Sequence, residues 1–474
     1  MTTNANDLPA NETPTSAGIA HPVRQAPGPQ EPRMLGHLPA VMRKGMLRFV
    51  VDAWRAYGDV FRMKLGTRYT YVLTRPEQVK YVLAENRRNY NKGAGYKNVR
   101  EGVMGKGLLT SEGEFWQRQR KLIQPLFTAK AVTQYAAEMT STVEDMLARW
   151  QPRAQRGETL EIAEEMAHLT LSIIGRTMVS LDVGDETLAV GRACRAVLDH
   201  MANRRSLGSI ITRKLPTPAK RRYQAAVHTL DTAVYQLIQE RRTRQERPAD
   251  LLTRLIDARD EETGEGMSNQ QIHDELLTIF FAGHETTALA LTWVWYLLAT
   301  HPEAEEKLHA ELATVLGARA PTVDDLTRLP YTRMVFEEAM RLYPPVWVFP
   351  REALEDDELD SYHVPAGSLM LLCPYITHRH PDLWERPEDF TPEHFSAEHE
   401  AARPPYVYYP FGAGPRTCLG IHFAMLEGQL ILAMVAQRYR LRSIPGFAPK
   451  PAARITLRPT RGMPMTLHPL LEQK

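Results

Sequence analysis

Apolar positions recur at helical spacing through the middle of this chain, and strand-like alternation is confined to short stretches nearer its ends. Residues 50–58 read as a short amphipathic helix closed by Gly58. Residues 60–66 largely alternate apolar and polar positions, as a half-buried strand does, and residues 70–74 are a β-rich partner beyond a short turn. Residues 89–113 are polar and glycine-bearing, a long connection of the kind that forms lids and binding loops. From about residue 131 to about residue 244 the period is helical. Prolines and a basic cluster, including Lys214, Lys220, Arg221 and Arg222, interrupt it and read as a solvated loop. Residues 276–298 predict a long apolar helix, and residues 421–436 a second, largely buried one. Pro344, Pro345 and Pro350 rule out a helix interior between them, which leaves residues 345–351 as an apolar extended run ending in a cation. Residues 456–465 read as strand–turn–strand.

The 474 residues suffice for one large domain or a few ordinary ones, and a composition of 43% hydrophobic and 24% charged residues is globular. A formal net charge of +2 gives no bulk electrostatic case for nucleic acid. The three cysteines, Cys194, Cys373 and Cys418, are scattered without a CxxC pair. That argues against a zinc ribbon or an iron–sulfur cluster and suits a reducing, cytoplasmic setting. Residues 1–33 are polar and rich in proline, without the basic and apolar segments of a secretory signal, and are expected to be a flexible tail that docks at Pro27-Gly28-Pro29. No run of ~18 continuous apolar residues occurs, so no transmembrane helix is expected.

Chemistry concentrates in four places. Residues 410–420 hold three glycines, two prolines and Cys418, a composition that fits a tight turn rather than a regular element. Cys418 then lies just before a helix N-terminus, where free N–H groups and the helix dipole favour a thiolate. Such a thiolate is a nucleophile or a metal ligand; a buried structural cysteine is the plainer reading. On the helix 276–298, Gly283 costs about 1 kcal/mol relative to alanine, and a carboxylate, Glu285, stands in an apolar setting. The glycine would let a ligand approach the backbone, and Glu285 and Thr286 can relay protons. His284-Glu285 is not a zincin motif, because Ala288 stands where the second histidine belongs. Trp116 and Arg120 share a helix face and can grip a carboxylate together, and Glu338 and Arg341 are spaced to pair.

The pattern Phe411-x-x-Gly414-x-Arg416-x-Cys418-x-Gly420-x-x-Phe423-Ala424 resembles the cysteine loop of the haem-thiolate monooxygenases, the cytochrome P-450 family, of the soluble bacterial type. Residues 282–287 match that family's oxygen-activation pattern, with His284 at an open position, and Trp116/Arg120 and Glu338/Arg341 match its W-x-x-x-R and E-x-x-R elements in the same order. The resemblance implies a mainly α fold with a smaller β-rich region, a single large domain over residues 34–474. It implies Cys418 as axial ligand of the iron in haem b, with Phe411, Gly414 and Gly420 shaping the loop. Trp116, Arg120, Arg351 and Arg416 are implied at the haem propionates. Glu285, Thr286 and Gly283 are implied on the oxygen side. Glu338, Arg341 and His394 are implied as a structural network, His394 standing where many members carry arginine. Phe281, Ala282 and residues Val346, Trp347, Val348 and Phe349 are implied as pocket lining.

The implied reaction inserts one oxygen atom from O2 into an unactivated C–H bond of an apolar small molecule, a terpenoid or isoprenoid. Electrons would come from NAD(P)H through a ferredoxin and its reductase, with the protein a monomer. Arg118 and Lys121 would be surface charges on the donor's docking face. The alternatives are a fatty-acid or carotenoid hydroxylase, a peroxide-driven peroxygenase and a non-catalytic haem-binding protein.

Overall fold

The computed structural model describes residues 24–32, 35–93, 96, 100–181, 185–203 and 217–470. Its longer helices are α1 (Met46–Tyr57), α2 (Gly113–Ile123), α3 (Ala136–Gln155), α4 (Ile162–Val179), α5 (Asp185–Asn203), α6 (Pro218–Thr243), α7 (Asn269–Thr300), α8 (Pro302–Val315), α9 (Pro330–Leu342) and α10 (Ile421–Ala436). The strands are β1 (Val60–Leu65), β2 (Arg68–Leu73), β3 (Tyr90–Asn91), β4 (Thr159–Glu161), β5 (Phe349–Ala353), β6 (Asp357–Leu359), β7 (Tyr362–Val364), β8 (Leu369–Leu372), β9 (Tyr439–Ser443), β10 (Pro451–Ala453), β11 (Leu457–Pro459) and β12 (Pro464–Pro469).

The main sheet has the order β1-β2-β8-β5-β3, and within it only β2 and β8 run parallel. A three-stranded sheet, β4-β12-β9, closes the far end of the helical body. The dominant apolar core lies among the helices, and two smaller ones lie on the sheet, one of them beneath α1. Helix α7 runs through the large core, packed by α4, α6, α9 and α10. It is apolar all round, as a helix buried on every side must be. It starts earlier than the apolar pattern alone predicts because Ser268 and Gln271 form a capping box ahead of it.

The tail docks at Pro27 and Gly28 as expected, and the docked segment extends over residues 24–32: Arg24 bridges to Tyr362, the Arg62 amide donates to the Pro27 carbonyl at 2.7 Å, and Ala26 is buried. A Cβ on Gly28 would come within 1.9 Å of the Arg62 carbonyl, so glycine is what lets this segment lie on β1. Residues 1–23 lie outside the described residues, as does Lys214 of the basic cluster. Lys220, Arg221 and Arg222 are not in a loop: they form the start of α6, which Thr217 caps and Pro218 opens. Residues 456–465 run strand–turn–strand as expected, β11 and β12 flanking the Thr460–Gly462 bridge, but the two strands pair elsewhere, β11 with β10 and β12 with β9 and β4. Pro459 and Pro464, one on each arm, have no N–H to give to a ladder between them.

Candidate active site

The cysteine loop is built from backbone bonds that only a glycine-rich sequence permits. The Cys418 amide donates to the Phe411 carbonyl at 2.9 Å, and the Thr417 amide and hydroxyl both donate to the Gly414 carbonyl at 3.0 and 2.6 Å. Gly414 has φ +69°, and a Cβ there would sit 2.3 Å from the Leu83 carbonyl oxygen. Gly420 caps α10, so Cys418 stands two residues before the helix cap. Cys194 and Cys373 are buried, whereas Cys418 is open to solvent. It is open from within a recess: the surrounding protein desolvates its thiol and pushes it up, while the Gly420 N–H and the Arg120 guanidinium pull it down.

Trp116 and Arg120 hold this loop against α2. Arg120 donates to the Thr417 carbonyl at 2.9 Å and to Gln124 at 3.2 Å, and the Arg416 guanidinium lies 4.2 Å over the Trp116 ring. Arg416 also donates to the Ser111 carbonyl at 3.0 Å and forms an ion pair with Glu112. Arg351 is 7% exposed and donates to the Pro350 carbonyl at 2.8 Å. Sequence reasoning missed a third cation here. Lys92, buried among the same groups, donates to the Leu109 carbonyl and lies 5.3 Å from the Tyr96 ring. Desolvation, helped by Arg416 and Arg351, brings its ammonium down to about 7. Glu275 is pushed up to about 8 by burial and so adds little negative charge at neutral pH. The buried Arg351 and Lys92 and the half-buried Arg416 thus share this site with Glu112, a positive surplus that suits an anionic ligand.

Between residues 272 and 295 of α7 the residues reachable by solvent are Ile279, Ala282, Gly283 and Thr286, spaced to form one stripe on an otherwise buried stretch. Thr286 donates to the Ala282 carbonyl at 2.8 Å. Gly283 does not serve the purpose expected of it. A Cβ there would lie 2.6 Å from Cδ1 of Ile174, so the space the glycine leaves is taken by α4. Glu285 is 8% exposed and turned toward β11, where its Oε1 accepts from Thr456 Oγ1 at 2.7 Å and from Arg458 Nε at 2.6 Å. Neither partner was assigned to Glu285 from sequence. His284 is buried, its Nδ1 facing the Phe280 carbonyl at 2.5 Å, and burial lowers its pKa.

The expected pocket lining divides. Ala282 is exposed on the open stripe and Val346 is half-buried. Phe281 belongs to the helical core. Trp347 is turned into the core beneath α1, its indole donating to the Arg454 carbonyl at 3.1 Å. Val348 packs partly against that core, and Phe349 against Tyr409 and Gly412 on the other side of the sheet. The expected extended run is bent at residues 345–346 and becomes a strand only at Phe349, so the four side chains do not share one face.

Below the loop, Glu338 and Arg341 are fully buried and joined by two bonds of 2.6 and 2.7 Å. Arg341 also donates to the carbonyls of His378, Pro387 and Asp389. His394 joins them: Nδ1 meets Glu338 Oε1 at 3.1 Å and Nε2 meets the Glu385 carbonyl at 2.8 Å. Both partners are acceptors, and a ring N–H at either nitrogen can donate to one of them, a service arginine can also perform.

A family model described as Cytochrome P450 matches residues 26–463. Cyclooctatin synthase of Streptomyces melanosporofaciens is 37% identical over 435 residues, which cover 91% of this chain and 93% of that protein. Cyclooctat-9-en-7-ol 5-monooxygenase of the same organism is 35% identical, over 92% of this chain and 94% of its own. Pentalenene oxygenase of Streptomyces avermitilis is 31% identical, over 90% and 93%. The chain belongs to the cytochrome P450 family and is a monooxygenase. The family's haem iron takes a cysteine thiolate, and the residues present fit the group: a lone thiol in a recess ahead of a helix, beside a surplus of buried cations suited to its two carboxylates.

Proposed function

We propose that the protein hydroxylates a cyclic terpenoid. The observation that carries this reading is the stripe on α7: of Ile279, Ala282, Gly283 and Thr286, only the last offers a polar side-chain group. Such a lining suits a hydrocarbon skeleton. The names of the relatives point the same way, toward terpenoid oxidation.

When bound, the haem supplies O2 activation, which an anionic sulfur ligand favours, and insertion of the oxygen atom. The chain supplies placement. Cys418 would hold the iron, and Lys92, Arg351 and Arg416 would pair with the propionates. Thr286 holds a proton at its hydroxyl on the oxygen side, and Glu285 passes protons toward it. Glu338, Arg341 and His394 keep residues 385–391 in place beneath the loop. Electrons come from NAD(P)H through a ferredoxin and its reductase, and the protein works as a monomer.

Titrating the purified ferric protein with neutral cyclic isoprenoids and with long-chain fatty acids tests the reading. Cyclic isoprenoids are expected to shift the Soret band as substrate displaces the iron's water ligand, and fatty acids are not. A shift with the acids alone overturns it in favour of fatty-acid hydroxylation. Turnover with peroxide but none with NADPH and a ferredoxin system would identify a peroxygenase.

A further inference from the structure

Glu285 is held by a segment that belongs to neither α7 nor the cysteine loop. Thr456 Oγ1 and Arg458 Nε both donate to Glu285 Oε1, and Arg458 Nη2 completes an ion pair with the same oxygen. The short stretch carrying them is tied down at both ends. The Trp293 indole, two turns along α7 from Glu285, donates to the Leu457 carbonyl at 3.1 Å. The Leu457 amide donates to the Pro345 carbonyl at 2.9 Å, and the Trp347 indole to the Arg454 carbonyl at 3.1 Å. Residues 454–458 therefore bridge the acid on α7 and the run 345–349 that leads into β5.

We propose that Arg458 and Thr456 are positioning residues for proton supply by Glu285, setting where its carboxyl points and coupling it to the segment before β5. This rests on the reading of Glu285 as a proton donor given above. The chemistry of the pair suits the task. Arginine is a permanent cation with no acceptor atom and no proton to exchange at neutral pH, so it fixes the carboxyl without competing for the proton being passed. The threonine hydroxyl adds a second, directional bond to the same oxygen. Lysine at 458 would keep the charge but lose the planar fork that fixes direction.

The test compares E285Q, R458Q, R458K, T456V and E285Q/R458Q as haem-loaded proteins. The probe is the cyclic isoprenoid that gives the largest Soret shift, with NADPH and a ferredoxin system. Two readouts are taken on turnover: peroxide released per NADPH, and the solvent deuterium isotope effect. A third, the melting temperature in a double-mutant cycle, reports contact between positions 285 and 458 independently of activity. R458Q is expected to raise the peroxide fraction several-fold and to change the isotope effect in the direction E285Q does. R458K should fall between R458Q and the parent, and the double variant should be no worse than E285Q. If E285Q leaves peroxide and isotope effect unchanged, the proton-supply reading of Glu285 falls and the inference falls with it. If E285Q uncouples and R458Q does not, the inference alone is overturned and Arg458 is structural. Should R458Q fail to fold, T456V decides: the same shift at smaller size supports the inference, and parental values overturn it.

Discussion

Thr286 carries one hydroxyl in the middle of an apolar stripe, and its hydrogen is directed to the Ala282 carbonyl. The oxygen's lone pairs are thereby left facing away from the helix, free to accept a hydrogen bond from a neighbour in the recess. Removing the hydroxyl should leave substrate binding largely intact and divert electrons to peroxide. Thr286→Ala is expected to cut product per NADPH several-fold while the Soret shift with substrate persists, and Thr286→Ser should recover much of the coupling. Unchanged coupling in the alanine variant would refute the proton role. The Glu338–Arg341 pair is a different kind of residue-scale device. Both side chains are fully buried, so Glu338→Gln leaves the Arg341 cation without its counter-charge. Breaking a buried pair from one side costs about 3–5 kcal/mol, and denaturant unfolding should register a loss of that order. A loss below about 1 kcal/mol, as for a surface ion pair, would show that the network does not depend on charge.

Helix α10 follows Cys418 in the chain and packs against α9 and α7. That closeness depends on Gly428: a Cβ there would lie 2.3–2.7 Å from ring atoms of Phe336 on α9. Gly428→Ala is expected to destabilise the fold by about 1–3 kcal/mol, the usual cost of overpacking. Gly420→Ala, where the nearest atom is Cys418 Sγ at 4.0 Å, should cost little in stability. Equal effects of the two on the unfolding midpoint would mean that the α9–α10 contact gives way easily. The same contrast shows what could be read beforehand. The cysteine loop, the stretch of α7 around Thr286 and α10 were legible because their signals are local: glycine and proline density, all-round apolarity, fixed spacing along one helix. The Arg458–Glu285 contact spans 173 positions, and Lys92 sits in a run without periodicity, so no local pattern announces either. The turning of Trp347 away from the recess was hidden for another reason. Alternation identifies two faces of an extended run but neither its bend nor which face meets the site. Docking of the tail was legible at Pro27-Gly28-Pro29, where proline and glycine mark it, but its partners on β1 and at residues 361–363 were not, because backbone groups make the bonds.

Three buried ionisable groups off the proton path set how the whole molecule responds to pH. Glu427 on α10 is fully buried, and neither carboxyl oxygen reaches a hydrogen-bond partner at good geometry among the described residues. Desolvation pushes it up to about 8 from an ordinary value of 4.5, with Thr287 on α7 offsetting this in part. Glu275 is raised to about 8 by the same cause, while Lys92 is lowered to about 7 from an ordinary 10.5. For each glutamate, between pH 4.5 and 8 the folded state keeps a proton that the unfolded chain releases, so stability falls as pH rises through that window. For Lys92 the sign is reversed. Above about pH 7 the folded state gives up a proton that the unfolded chain retains to 10.5, so stability rises with pH there. The two glutamates outweigh Lys92 up to about pH 8, so the contribution of these groups should decline from mildly acidic pH, level off near pH 8 and recover above it. Glu427→Gln removes one of the declining contributions without removing the buried hydrogen-bonding shape. At pH 5.5 the variant should be only slightly the more stable, since the unfolded chain ionises Glu427 from about pH 4.5 while the folded group is still neutral. By pH 8.5 the variant should be clearly the more stable, with the gap opening between these values and staying constant above them. Melting curves of the two proteins at pH 5.5, 7 and 8.5 check this, and a gap that does not depend on pH would mean that Glu427 titrates as an exposed carboxylate does.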